Sequence, residues 1–547
     1  MKGPAAGESN RTPARACAGC AVEGGPRQCA AAASFAPVGL AIAFLLSGCA
    51  VGPDFKSPEA PGATSSGTYT PAPVAQVTAS APGLGGAAQH LALGQDIPAQ
   101  WWSLFHSESL DRLIRAALAH NPSLAAAQAA LREARENFNA QSGSLLYPSV
   151  TGQLAADRQR SSSSGGATTP GAGGRGVNGT GGATATGAGN GSANISGGGP
   201  ITYNLFNTSV NVSYALDVFG ANRRTLEGLA AAIDYQRYQV EAAYLTLVSN
   251  VVTTAILEAS LRAQLEATRE VLELQTRQVG VVEAQFNAGA VSRAPVLLQQ
   301  AQAAQTRATV APLEKALAQA RHQLSVYAGE LPSEQDLPEF SLDSLQLPQE
   351  LPVTLPSSLV RQRPDIRASE ALLHEASAQI GVATANLYPQ INLTASLGSG
   401  ALQLGDLFSP STIVWTAAAA LAQPIFNGGA LNAKKRAAEA AYEQARAQYQ
   451  STVLGAFQNV ADALRAIESD ATALGAQADA AKVARESLDL STQQYQLGAI
   501  SFLALLDAQR TYQQTKISLA QAQAARFADT AALFQALGGG WWNRTAQ

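Results

Sequence analysis

The spacing of apolar positions along this chain changes character in a fixed order, and the order occurs twice. Leu110, Leu113, Ile114 and Leu118 recur at helical intervals. Asn121-Pro122 breaks that helix and opens a second one, since proline is tolerated in a first turn. Near Tyr147-Pro148 the period drops to two, and Val150 and Leu154 alternate with Thr151 and Gln153. Further on, Val210, Val212, Tyr214, Leu216 and Val218 share one face, and Asn211, Ser213, Ala215 and Asp217 share the other. A run of that length with one apolar and one polar face predicts a membrane β-strand. Ala221–Phe286 then returns to the helical period, with no proline and only Gly228 and Gly280 as glycines. A continuous helix of that length would reach about 99 Å at ~1.5 Å per residue, which points to a coiled coil or solenoid. The chain turns at Gly289–Ser292 and runs back as a helix to about Ala328.

The same programme then restarts. "RPDIRASEALLHEASAQIGVATANLYPQINLTASLG" mirrors "NPSLAAAQAALREARENFNAQSGSLLYPSVTGQLAA", with Tyr388-Pro389 echoing Tyr147-Pro148. Ile391, Leu393, Ala395 and Leu397 alternate with Asn392, Thr394 and Ser396, and Ile413, Trp415, Ala417, Ala419 and Leu421 give a fourth strand. "PIFNGGALNAKKR" opens the second long helix as "DVFGANRR" opens the first. The turns "QFNAGAVSRAPVLL" (Gln285–Leu298) and "QYQLGAISFLALLD" (Gln494–Asp507) lie 209 residues apart. The expected plan is a leader (1–48), an extended segment (49–100), a first repeat (101–330), a Pro-rich stretch (331–360), a second repeat (361–540) and a short tail (541–547). The Gly/Ser-rich stretch 158–200 reads as a loop between two strands, and its "GAGGRG" (Gly171–Gly176) lacks the strand-to-helix context of a dinucleotide site.

Four strands cannot close a barrel, and open strand edges are not tolerated in lipid. Eight is the smallest usual closed number, so several chains must share one barrel. The long helices are Ala-rich with scattered Leu and Val, so one stripe must pack on neighbours while the Gln- and charge-rich face lines water. In each turn, Gly289 or Gly498 suits a left-handed helix end, and Ser292 or Ser501 suits the N-cap of the returning helix.

Composition narrows the partners. The 547 residues carry a formal net charge of -4 without a Lys/Arg cluster, which argues against nucleic acid. The apolar run Ser34–Leu46 is too short for an ordinary transmembrane helix and is followed by "LSGC" (Leu46–Cys49), which resembles a bacterial lipobox. That resemblance implies cleavage before Cys49 and acylation of it, and Ala50 in the next position, in place of Asp, favours the outer membrane. Cys17, Cys20 and Cys29 would leave with the leader, so "CAGC" receives no zinc or redox role. His90, His106, His120, His322 and His374 are scattered without a catalytic motif, so neither an enzyme, a metal site nor a cofactor is expected.

"RQRPDIRASEALLHEASAQIGVATANLYPQINLTASLG" (Arg361–Gly398), "LAQPIFNGGA" (Leu421–Ala430) and "LGAISFLALLDAQRTY" (Leu497–Tyr512) resemble the TolC/OprM-type outer-membrane factor family. More narrowly, they resemble the outer-membrane lipoproteins (NodT-like) of RND-type efflux systems. The resemblance implies an α+β membrane channel. Three chains of four strands would form one twelve-stranded β-barrel, continued by a periplasmic α-helical coiled-coil barrel with a small equatorial region. It also implies a periplasmic adaptor (membrane fusion protein) and an inner-membrane RND-type pump as partners. The turns Gly289, Ala290, Val291, Ser292 and Gly498, Ala499, Ile500, Ser501 would then form the periplasmic tip and meet the adaptor. Asp507 matches one pore-facing acidic position of the family, whereas Ala504 and, at the first turn, Arg293 and Pro295 depart from its pattern. Asp507 and Arg293 are the gate candidates. Two alternatives stand beside the efflux channel: the outlet of a type I secretion system, and a coiled-coil tethering lipoprotein, which would leave the four strands unexplained.

Overall fold

The computed structural model describes residues 50–58, 69–161, 201–333 and 337–544. The chain divides into Met1–Gly48 and Cys49–Gln547, and every described residue belongs to the second unit. The leader, Cys49 and the glycine run 171–176 lie outside the described residues.

Helix α1 (Glu108–His120) starts where the Ser107 side chain accepts the Leu110 N–H, with Glu108 and Asp111 placed favourably at the positive end of the dipole. Asn121 ends α1 and caps α2 (Pro122–Leu146) by accepting from the Ser123 and Leu124 N–H groups. The same side chain donates to the Tyr327 carbonyl at 3.0 Å and so ties this corner to the end of the first hairpin. That hairpin is α3 (Ala221–Asn287) and α4 (Arg293–Ala328). In the second repeat α5 (Pro356–Gln362) and α6 (Pro364–Ala385) precede the hairpin of α7 (Ala430–Gln496) and α8 (Phe502–Ala536). Both outgoing helices, α3 and α7, have 67 residues.

Strands β2 (Ser149–Ser161), β3 (Ile201–Leu216), β5 (Gln390–Ala401) and β6 (Ile413–Ala422) form one antiparallel sheet in the order β2-β3-β5-β6. Its register sorts the chemistry into two faces. The row Gly152–Val210–Leu397–Trp415 and the row Val150–Val212–Ala395–Ala417 lie on one side. Thr151–Asn211–Ser396–Thr416 lies on the other, where the Ser396 and Thr416 hydroxyls are 2.6 Å apart. Val150, Leu154, Leu397, Trp415 and Leu421 stay exposed on the apolar side, and β2 and β6 are open edges. Strand β3 ends at Leu216, earlier than the alternation suggested, so Asp217 and Val218 fall outside it. The cause is local: Gly220 offers α3 no capping side chain, and the Asp217 carboxylate instead accepts from the Asn222 and Arg223 N–H groups at 3.2 and 3.0 Å.

A second sheet, unforeseen from the alternation, pairs β1 (His90–Leu93) in parallel with β4 (Glu350–Val353). Around it sits the main core. The 3-10 turn Trp101–Phe105 inserts Trp101, Trp102 and Phe105 against Phe534, Phe527 and the α3 face of Val248, Val252 and Ile256. This packing accounts for the stretch of α3 apolar enough to cross a membrane by composition. Arg363 of the "RPD" triplet closes the end of α8: its guanidinium donates to the Ala536 carbonyl at 2.6 Å and grips Asp365 through two nitrogens. That is a structural clamp on an otherwise unsatisfied helix carbonyl.

Arg526, only 1% exposed, donates to the carbonyls of Ile467 on α7 and Ala87 at 3.1 Å each. Nearby, burial pushes the Asp529 carboxyl up to about 7, helped by a hydrogen bond and charge repulsion from Asp470 and opposed by Arg526. An unfolded aspartate loses its proton near pH ~3.9, so between about pH 4 and 7 the folded chain holds a proton that the unfolded chain has released. Stability therefore falls as pH rises through that window and levels off above it. Asp529→Asn should abolish this slope: thermal unfolding followed by circular dichroism should show a higher midpoint than the parent at pH 8, with the gap narrowing towards pH 5. An equal gap at both pH values would contradict this account.

Candidate functional site

The two hairpin tips are built alike from the backbone upward. At the first, the Gly289 N–H donates to the Phe286 carbonyl at 2.9 Å and the Ala290 N–H to Gln285 at 2.8 Å. At the second, Gly498 donates to Tyr495 at 3.0 Å and Ala499 to Gln494 at 2.8 Å. Both are Schellman closures, with the glycine in the left-handed region at φ +75° and +73°. A Cβ on either glycine would meet nothing, so backbone conformation rather than space demands glycine here. The N-caps differ. The Ser501 hydroxyl accepts the Ala504 N–H at 3.3 Å, whereas Ser292 makes no cap hydrogen bond. The residue three places beyond Ser292 is Pro295, which has no N–H to offer.

Gly289, Ala290 and Ser292 are exposed with Val291 half-buried, and Gly498, Ala499 and Ser501 are exposed with Ile500 half-buried. Just behind the exposed tips the Tyr495 hydroxyl donates to Gln285 Oε1 at 3.2 Å, and its ring packs on Phe502 with centroids 5.6 Å apart. Asp507 and Arg293 are both exposed, and no ion pair joins them within the chain.

Behind the tips the hairpins are joined by a polar seam that the sequence reading missed. Gln299 Nε2 donates to the Gln275 carbonyl at 3.2 Å and to Gln509 Oε1 at 3.4 Å, and all three side chains are buried. Arg510 Nε donates to Gln302 Oε1 at 2.6 Å, and Gln521 Nε2 to Gln264 Oε1 at 3.0 Å. The Gln-rich face was expected to line water, yet here part of it is interior. Long flat amides can reach one another across the small gap that Ala-rich helices leave, as Gln299 reaches Gln509, while the Gln275 amide and Gln299 Oε1 are buried without a partner; the repeated Gln at helical spacing was the available signal.

One charged knot lies in this seam. Lys516 pairs with Glu270, the Tyr512 hydroxyl donates to Glu270 Oε1 at 3.4 Å, and Arg485 Nη1 donates to Tyr512 at 3.0 Å. Partial burial alone would raise the Glu270 carboxyl, but the Lys516 ammonium, the Tyr512 hydroxyl and the Arg485 charge outweigh it and hold it below the usual carboxylate range. A depressed carboxylate contributes stability above the unfolded value of ~4.3 and loses it as pH falls through its own lower value. Hydrogen exchange in Gln509–Gln521, corrected for the intrinsic pH effect, should therefore accelerate below about pH 4 in the parent. Lys516→Met should exchange fast already at pH 7 and change less on acidification. Parent-like protection in that variant would show that the knot does not hold the hairpins together.

Comparison with known proteins places this architecture. The family model described as outer membrane efflux protein matches residues 113–330 and 355–539. The chain is 31% identical to the pyoverdine export outer membrane protein OpmQ of Pseudomonas aeruginosa over 446 residues, covering 81% of this chain and 87% of that one. It is 30% identical to the cation efflux system protein CusC of Escherichia coli over 505 residues, covering 91% and 97%. Among solved structures, the outer-membrane channel OprN superposes with a TM-score of 0.74 at 25% identity, covering 90% of this chain and all of that one. In this fold three chains each place four strands in a common barrel, which closes the two sheet edges left open in one chain. The family is a conduit and not an enzyme. With its apolar-faced strands and paired long hairpins, the chain belongs to the outer membrane efflux protein family and is the outer-membrane channel component of an efflux system.

Proposed function

We propose that this channel works in a tripartite assembly, with the tips Gly289–Ser292 and Gly498–Ser501 meeting a periplasmic adaptor that connects it to an inner-membrane RND-type pump. The observation that carries this reading is the bareness of the tips: two alike, exposed closures stand at the ends of the 67-residue helices remote from the sheet. Cargo choice belongs to the pump. Relatives named for pyoverdine and for cations match this chain almost equally well, so the conduit's sequence does not single out one class of cargo.

Lipid attachment at Cys49 fits the same picture. Directly after it, the Val51 N–H donates to the Phe219 carbonyl at 3.1 Å, and Arg224 donates to the Val51 carbonyl at 3.3 Å and pairs with Asp54 at 2.7 Å. Phe219 lies between the end of β3 and the start of α3, so Ala50 leaves the fold at the rim of the sheet, within reach of the inner leaflet. Several acyl chains on Cys49 would hold it there, since each buried CH₂ contributes ~0.8 kcal/mol.

Asp507, one turn inside the second tip, would form a threefold ring of negative charge near the pore's inner end and favour cations. Asp507→Ala should change single-channel conductance or lower cation selectivity in planar bilayers; parent values for both would remove Asp507 from the gate. For the tips, Ala290→Trp with Ala499→Trp should abolish efflux in cells while the purified channel still conducts. Unchanged efflux would overturn adaptor contact at these turns.

A further inference from the structure

Because the fold is a repeat, each contact between the two halves of one chain has a counterpart that a single chain cannot make. Strand β3 of the first half pairs with β5 of the second. Its counterpart joins β6 to the β2 of another copy, and both of those edges are open. The helices follow the same rule. Helix α6 lies against the start of α3, where Gly228 faces Ala378 and Gly381 faces the Arg224 side chain, and α6 buries Ile366, Leu373, Ala378 and Ala385. Helix α2, its counterpart, buries only Leu124.

At the joint between sheet and helices the asymmetry is sharpest. The Phe219 ring stacks on Tyr388 with centroids 4.8 Å apart and planes 17° from parallel. Phe219 belongs to "DVFG" and Tyr388 to "LYP"; the counterparts are Phe426 in "PIFN" and Tyr147 in "LYP". Phe426 is 90% exposed and Tyr147 67% exposed, against 41% for Tyr388, while Phe219 is half-buried. We propose that Phe426 of one copy stacks on Tyr147 of the next copy, and that α2 of that next copy lies along the first turns of α7.

Strand direction supports the pairing. Leu216, near Phe219, registers with Ile391, near Tyr388, because the end of β3 meets the start of β5. In an alternating barrel β6 runs antiparallel to the neighbour's β2, so the end of β6, four residues before Phe426, meets the start of β2, two residues after Tyr147. The stacked pair would bury two large rings that are otherwise exposed, with the offset geometry aromatic pairs prefer. It would also hold the barrel wall to the helical tube across each chain boundary as Phe219–Tyr388 does within a chain.

This inference rests on the three-chain barrel, and the test separates the two. Two differently tagged chains, one carrying Phe426→Cys and the other Tyr147→Cys, are co-expressed and treated with a short bis-methanethiosulfonate reagent. A single chain carrying Phe219→Cys and Tyr388→Cys serves as the reference and should link within itself. The expected result is a dimer bearing both tags, absent when either variant is expressed alone. A trimer that forms without the mixed dimer, while the reference pair links, overturns the pairing and leaves the barrel intact. A chain that stays monomeric in native mass measurement overturns both. Asn427→Cys with Leu146→Cys keeps both rings and carries the same test where the first pair assembles poorly.

Discussion

The edge of a β-sheet cannot be left open in lipid, and one chain of this protein has two such edges. Each unpaired N–H and C=O in hydrocarbon would cost several kcal/mol, roughly the scale for a buried polar group without a partner. The sheet order β2-β3-β5-β6 leaves β2 and β6 in that condition along their full lengths. Closure by other copies is therefore a condition of the fold rather than an addition to it. The two-faced register makes closure possible. Had the β6 pairing slipped by one residue, Trp415 and Leu421 would face the lumen and Thr416 the lipid.

Below the sheet a different balance rules. The helices carry few large side chains along their length, and the main core gathers around Trp101, Phe105, Phe527 and Phe534. Elsewhere alanine lets the helices approach closely, and the Gln299–Gln509 and Arg510–Gln302 hydrogen bonds together with the Glu270–Lys516–Tyr512 knot supply registration. Polar contacts of this kind are directional, whereas an alanine face can slide. These directional bonds fix the register of the hairpins beside a small apolar cluster of Val271, Leu488, Leu505 and Tyr512, which supplies the burial that alanine alone would not.

Much of this was legible in the sequence because the two periods are physically distinct. Ile391–Leu397 alternates cleanly, since one face meets lipid and the other water, and the observed strand Gln390–Ala401 contains it. The helix expected over Ala221–Phe286 ends one residue later, at Asn287, because the Gly289 closure fixes its end. Other features depend on contacts distant in the chain and left no local trace. Strands β1 and β4 have four residues each, too few for a period, and find each other across about 260 residues. Asp217 looked like the polar face of a strand, but its carboxylate serves a helix that begins a few residues later. Pro295 silences the Ser292 cap, a consequence readable from the sequence only once the N-cap position is known.

The repeat also shows where the two halves had freedom to diverge. The outgoing helices have equal length, and the glycine closures agree in φ to within a few degrees. Equal length follows from geometry, because hairpins of unequal reach could not end in one ring. Beyond the closures the chemistry separates. The first returning helix opens with Arg293 and Pro295, placing a cation at the positive end of its dipole. The second opens with Phe502 and Leu503 and carries Asp507 one turn further. Three chains therefore present six tips that are alike in backbone and of two kinds in charge, arranged alternately. The repeat thus holds in the lengths of the outgoing helices and in the glycine closures, and gives way to threefold symmetry in the charges of the returning helices.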